Sequence, residues 1–363
     1  MFKSLLRDRL LISLLIISIL IKVFSMKSAW VERYYTFGFY PIISNVLRTI
    51  LGWVPFSIGD LLYFIAFGWL AWKAWKIFRL LAQKQLRKYF SWVLFNKYLK
   101  LVLWIYIVFN MFWGLNYDRQ GIARQFGLDV RQYTPADLYE LTAALQKQLN
   151  FYATRVDSSK RLLLNNNQIL FKEGIAAYEI ASKKYPFLTY HHPSIKPSLL
   201  TFAGQYFGFT GYYNPFTAEA QIKTDVPVFT RPFILCHEMA HQVGYAKENE
   251  ANFSSFLTGR VSDNVEFRYS VYYDMYTYAM SDLFVYNPLC FIDLKKSEHL
   301  QVKKDIKAYR EYILKSRNAV EPVMSIAYDR YLRMNNQPHG KESYNEVVGW
   351  LIAYMIKYGK DAL

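Results

Sequence analysis

The sequence predicts a mainly α-helical chain with a small β-sheet, carried behind three transmembrane helices. Three observations predict it. The first 117 residues contain three apolar stretches nearly free of charge, most of the remainder shows helix-spaced apolar residues between caps, and one short segment alternates apolar with polar residues.

The first stretch, residues 10–21 (LLISLLIISILI), is uncharged, and Lys22 can snorkel so that the span covers about 10–26. No small-x-small cleavage motif follows, so it reads as an uncleaved anchor. The second span, about 57–72, opens on a capping-box pattern at Ser57 and Asp60. The third, 101–117, holds no charge and is rich in interfacial aromatics. A buried soluble helix is the alternative for the second stretch, and losing one span would invert the topology. Residues 41–53 have helix-spaced apolar side chains and read either as a helix along the outer interface or as a short packed helix.

Charge gives the orientation. The formal net charge is +16, and residues 1–117 hold fifteen Lys/Arg against only Asp8, Glu32 and Asp60. Lys73, Lys76, Arg79, Lys84, Arg87, Lys88, Lys97 and Lys100 lie between the second and third spans with no acid among them, which assigns that loop to the cytoplasm. With Lys3, Arg7 and Arg9 also cytoplasmic, residues 118–363 form an extracytoplasmic domain. Basicity gathered between apolar segments is a topology signal, so membrane lipid is the expected partner and nucleic acid is not. The two cysteines, Cys236 and Cys290, read as buried free thiols.

Within the second domain, Thr134, Pro135 and Asp137 start a helix running to about 154, and a second helical pattern covers 173–184. Residues 190–211, punctuated by Pro193, Pro197, Gly204, Gly208 and Gly211, read as loop. Phe216, Ala218, Ala220 and Ile222 then alternate with polar residues, the pattern of a half-buried strand over 214–223. Thr230 is the expected cap of a helix that stops at Gly244. Further helices are expected over 247–259, through 284, and beyond the break at Pro288.

The Thr230 helix carries CHEMAHQVG, residues 236–244. Positions i and i+4 share one face of a helix, so His237 and His241 can present two imidazole nitrogens to one ion. Glu238 is then angled toward a water held by that ion. Zinc accepts such ligands and lowers the pKa of the water, and Glu238 is the candidate general base. Catalytic zinc usually takes three protein ligands, and Gly244 lets the chain turn back. Glu248 is the preferred third ligand, with Glu250 as the alternative. Asn252, four residues after Glu248, is placed to orient a histidine from behind.

HEMAH followed by ENEAN resembles the zincin metallopeptidases, above all their glutamate-ligand branch, and implies an α+β zincin-like domain. The resemblance implies Zn2+ held by His237, His241 and Glu248, Glu238 as catalytic base and Asn252 in support. Lys247 stands where the metzincins place a third histidine, and the gap between motif and glutamate is shorter than in thermolysin-like enzymes. Three N-terminal spans followed by this motif are similar in layout to an uncharacterised bacterial family of membrane proteins known only as a domain of unknown function. Zincins pair an extended peptide substrate with the strand before the active helix, which makes Phe216, Ala218 and Ala220 the expected substrate strand.

The expectation is a zinc-dependent peptidase anchored in a bacterial inner or cytoplasmic membrane, with a periplasmic or extracellular active domain and a peptide or protein substrate. A non-catalytic metal or peptide binder or sensor, and a membrane scaffold or assembly factor, are the rivals. Tyr212, Tyr213, Tyr272, Tyr276 and Tyr328 are candidate oxyanion donors. Substrate identity and oligomeric state are left open.

Overall fold

Asp8 caps the first helix, α1 (Arg9–Ser25), by accepting from the Leu11 amide. The structure is a computed structural model that describes residues 8–85 and 91–363; Lys3, Arg7, Arg87 and Lys88 lie outside the described residues. A second helix, α2 (Ser28–Leu51), follows at 96° to α1 and contains a π-helical stretch at Val31–Phe39. It is a packed helix: Tyr40, Ser44 and Arg48 face the interior. Two further helices are α3 (Ile58–Ala82) and α4 (Trp92–Phe112).

Among the described residues, α3 and α4 are long and apolar enough to cross a membrane, and α1 with α2 makes a third span only if the bent pair counts as one. The predicted boundaries shift for identifiable reasons. The second helix continues ten residues past Trp72 to Ala82, because Lys73, Lys76 and Arg79 are good helix formers whose charges rest on Trp69, Trp72 and Trp75. The third ends at Phe112, where Trp113 leaves helical geometry and a 3-10 turn, Gly114–Asp118, begins.

The second domain is mainly helical. Thr134 and Asp137 form a capping box at the predicted start of α5 (Pro135–Ala153), and Asn166 caps α6 (Asn167–Lys184). A three-stranded sheet has order β1 (Ile195–Pro197), β3 (Glu219–Ile222), β2 (Gly211–Asn214), with β1 parallel and β2 antiparallel to β3. Beside it lie α7 (Arg231–Val243), α8 (Glu248–Gly259) and α9 (Val265–Tyr286). The chain ends with α10 (Pro288–Lys296), α11 (Leu300–Ser316), α12 (Glu321–Met334) and α13 (Val347–Tyr358). Leu138, Leu141, Leu145 and Leu149 of α5 share one apolar core with Leu235 and Met239 of α7, Phe253 and Phe256 of α8, and Tyr269 and Tyr276 of α9.

The single strand expected over 214–223 is instead a hairpin. Pro215–Ala218 form its turn, with Ala218 at φ 54°, so the apparent alternation there is turn geometry. Phe216 and Ala218 therefore sit in the turn, and Ala220 lies on β3, the central strand with neighbours on both edges. None of the three can pair with an added peptide strand, and the expected substrate strand is corrected accordingly. Thr230 does not cap α7 either; its hydroxyl donates to the Pro227 carbonyl.

Glu219 joins the sheet to the apolar helices. Its buried carboxylate accepts from the Ile58 amide (3.2 Å), the Gly59 amide (2.7 Å) and the Thr217 hydroxyl (3.0 Å), satisfying donors at the start of α3 that have no partner within that helix. Lys196 of β1 donates to the carbonyls of Leu51, Gly52 and Val54 in the α2–α3 connection. Removing the carboxylate strands several buried donors. Glu219→Ala is expected to cost about 3 kcal/mol, read as a fall in apparent Tm of the detergent-solubilised full chain; an unchanged Tm removes this contact from the list of stabilising ones.

Candidate metal centre

The α7 helix presents His237 and His241 on one face because they are one turn apart, and it ends where Gly244 adopts φ 101°. That turn lets α8 come back beside α7, so Glu248 in the first turn of α8 meets both rings. Glu248 Oε2 lies 3.0 Å from His237 Nε2 and 3.7 Å from His241 Nε2. Among the described residues these three are the group of His, Cys, Asp or Glu side chains placed to share a metal ion, their ligand atoms all within 4.8 Å of one another.

What lies behind the rings decides which nitrogens are free. His237 Nδ1 is 2.8 Å from Asn252 Oδ1, and His241 Nδ1 is 2.6 Å from the Tyr245 carbonyl oxygen. A carbonyl cannot donate, and Asn252 Nδ2 already donates to the Tyr344 carbonyl at 3.2 Å, so both Nδ1 atoms are donors. Both Nε2 lone pairs then point toward a carboxylate oxygen. Three acceptors converging in a buried space need a cation among them: a proton satisfies one pair, and a metal ion satisfies all three. The donor set of two imidazoles and one carboxylate suits zinc.

Charge at the site follows the same geometry. Burial opposes ionisation of Glu248, but the adjoining His237 and His241 rings hold its carboxyl well below the ordinary value. Burial also disfavours charge on both rings; for His241 the Glu248 and Glu238 carboxylates and the Tyr245 carbonyl overcome it, raising the pKa to about 9, and His237 stays below its ordinary value. The ring nearer Glu248 is thus the less basic one. Glu248 is therefore ionised, and one positive charge belongs among the three groups.

Glu238 interacts electrostatically with His241 and Glu248 and lies against Gly211. It is 4% exposed, burial pushes its carboxyl up to about 8, and its Oε2 has no hydrogen-bond partner. Gly211 at the start of β2 makes room for it: a Cβ there would stand 2.5–2.9 Å from the Glu238 side chain. An edge strand, β2, therefore runs beside the candidate base, although not the strand the sequence suggested.

Glu250 is not at the centre. It is buried on another face of α8 toward Gly121 and Arg119, beside a separate cavity of about 220 Å³ that Lys247, Asn249, Gln337 and Glu346 also line. Of the candidate oxyanion tyrosines, Tyr328 is at the site, donating to Glu248 Oε1 at 2.9 Å. Tyr212 donates to Asp60, Tyr213 meets Tyr40, Tyr272 donates to the Leu363 carbonyl and Tyr276 to Glu298. Three further groups at the site carry no local sequence pattern. Tyr344 stacks on His237 at 6.2 Å and 7°, Trp113 meets His241 edge-on at 5.9 Å, and Gln337 accepts from the Glu248 amide at 3.0 Å. Each comes from about a hundred residues away or more, a separation at which spacing carries no information.

A family model described as a protein of unknown function, DUF3810, matches residues 35–352. The chain belongs to the DUF3810 family. The matched region runs from the π-helical part of α2 into α13, so for this DUF3810 chain it takes in both the apolar helices α3 and α4 and the whole His237–His241–Glu248 cluster. No curated protein and no solved structure matches the chain.

For this DUF3810 protein the geometry predicts metal content directly. His237→Ala and Glu248→Ala should lose the metal, Asn252→Ala should weaken it about 10–100-fold, and Glu250→Gln should leave it unchanged, as read by elemental analysis and calorimetric titration of the purified full chain. Equal metal in the native protein and His237→Ala would refute the assignment.

Proposed function

We propose that the protein is a membrane-anchored, zinc-dependent peptidase whose active domain lies on the outer face of a bacterial cytoplasmic or inner membrane. One observation carries the reading: both histidine Nδ1 atoms are tied up from behind, so both Nε2 atoms and Glu248 Oε2 converge, with the buried Glu238 carboxyl nearby and its Oε2 without a partner. Zinc bound there would supply Lewis acidity, polarising a peptide carbonyl and making a water acidic near neutral pH. Glu238 takes the proton of the attacking water at its free oxygen and passes it to the leaving amine nitrogen. Asn252 and the Tyr245 carbonyl keep the two rings in one tautomer and one orientation through the cycle. Tyr328 holds the second oxygen of Glu248.

Three spans with a cytoplasmic N-terminus are the topology we favour. Asp8 at the start of α1 bonds Asn96 and Lys100 near the start of α4, both at 2.8 Å, so α1 and α4 run the same way. The end of α4 and the start of α3 both reach the second domain, through Trp113 and Glu219. Lys73, Lys76 and Arg79 then lie at the opposite end, in the loop that the charge pattern assigns to the cytoplasm.

A second reading, metal or peptide binding without turnover, is favoured by closure of the site: His237, Glu238, His241 and Glu248 are only 4–7% exposed. Glu238→Gln separates the two. The variant should keep its metal and lose peptide hydrolysis by about 10²–10⁴-fold, with chelation abolishing activity in the native protein and zinc restoring it. Hydrolysis retained by the variant removes Glu238 from the base role, and native protein that holds zinc but cleaves no peptide favours the binder.

A further inference from the structure

The helix over the site is arranged inside out. In α12 only Leu332 is buried, and Tyr328, on the same side, reaches Glu248. On the opposite side Val323, Ile326 and Met334 are exposed, with Ala327 and Arg330 between them at helical spacing. A surface helix in water normally turns its apolar stripe inward. A stripe turned outward is covered by something apolar.

Where α12 lies says what covers it. Its beginning is tied to the helix Thr201–Phe207: Asn318 donates to the Gln205 carbonyl at 2.7 Å, and Glu321 lies against Gly208. Just before that helix, the Leu199 amide donates to Asp60 Oδ2 at 2.7 Å, in the first turn of α3. Its far end meets the residues that follow α4, with Tyr331 against Tyr117 at 3.2 Å and Asn336 against Asp118. So α12 crosses from the start of one apolar helix to the end of the other. The helix Thr201–Phe207 likewise leaves Phe202, Tyr206 and Phe207 exposed. Arg330 can bury its stem and lift its charge among headgroups, as interfacial helices commonly do.

The metal centre is at the same level. Trp113, the residue after α4, stacks edge-on to His241 at 5.9 Å, and a headgroup layer is on the order of 5–8 Å thick. We infer that α12 lies in the bilayer interface as a lid over the candidate metal centre, and that the site takes polypeptide attached to the membrane, next to a lipid or transmembrane anchor, rather than free peptides. This rests on the peptidase reading above. A soluble peptide must reach a site closed on the lipid side, whereas an anchored chain is delivered along the surface on which α12 lies.

Two measurements on the full chain in nanodiscs test it separately. Spin labels at Val323→Cys, Ile326→Cys and Phe202→Cys, in a Cys290→Ser background with Cys236 buried, should collide more with oxygen than with a water-soluble nickel chelate. A label at the exposed Ser159→Cys should do the reverse. Labels at 323 and 326 that behave like the one at 159 overturn the position of α12. A peptide library offered with and without an N-terminal palmitoyl chain should be cleaved at least tenfold faster when anchored; equal rates overturn the substrate class and leave the peptidase intact. Zinc-loaded protein that cleaves neither form sinks the peptidase reading and this substrate class with it, and the collision data still decide where α12 lies.

Discussion

The centre depends on two hydrogen bonds that never touch a substrate. Asn252 and the Tyr245 carbonyl each take the Nδ1 proton of one histidine, and this forces both Nε2 lone pairs onto the same point. Without them each ring could flip or change tautomer, and the shared space would be an ordinary histidine–glutamate contact. The Gly244 turn is what makes both bonds possible together, since it places Tyr245 under His241 and swings α8 round so that Asn252 lies under His237. A side chain at Gly244 would meet a φ it rarely adopts and would stand within 3.1–3.4 Å of Tyr40 and Asn116.

The same turn is where the apolar helices grip the second domain. Tyr40 of α2 donates to the Gln242 carbonyl at 2.9 Å, the Trp113 indole donates to the His241 carbonyl at 3.3 Å, and Arg119 donates to the Gly244 carbonyl at 2.9 Å. The first two belong to the last turn of α7 and the third to the glycine that ends it, a place where carbonyls outnumber the donors of the helix. Three segments from the N-terminal part of the chain thus complete the C-terminus of the histidine-bearing helix. The end of the helix that carries both histidines is completed by residues from before and just after the expected boundary near residue 117.

How much was legible follows from range. The HEMAH and ENEAN pairs were readable because i and i+4 on one helix, and a short turn between helices, are local geometry that sequence spacing encodes. Glu248 over Glu250 followed from the same spacing, through Asn252 one turn on. The hairpin was misread because Pro215–Ala218 contribute alternating residues to a turn, and period two cannot tell a turn followed by a four-residue strand from one longer strand. Gly211 was visible only as a loop glycine, although its missing side chain is what admits Glu238. Tyr328 was one tyrosine among many until α12 folded over the site, and Tyr344, Trp113 and Gln337 had no local pattern at all.

Closure of the centre assigns the motion that any reaction there requires. α7 cannot move: it is buried from Arg231 through Gln242 and shares the main core, so shifting it would expose several large side chains at about 1.5–3 kcal/mol each. α12 is held more lightly, by one buried leucine, by the hydroxyl contacts of Tyr328 and Tyr331, and by the polar contacts of Asn318, Asp329 and Asn336 around it. Lifting it costs about one such side chain plus about 1 kcal/mol for each hydrogen bond, partly returned where the freed groups meet water or headgroups. That total is within reach of thermal opening on functional timescales. Tyr328 lifts with α12, so opening this helix also frees the second oxygen of Glu248.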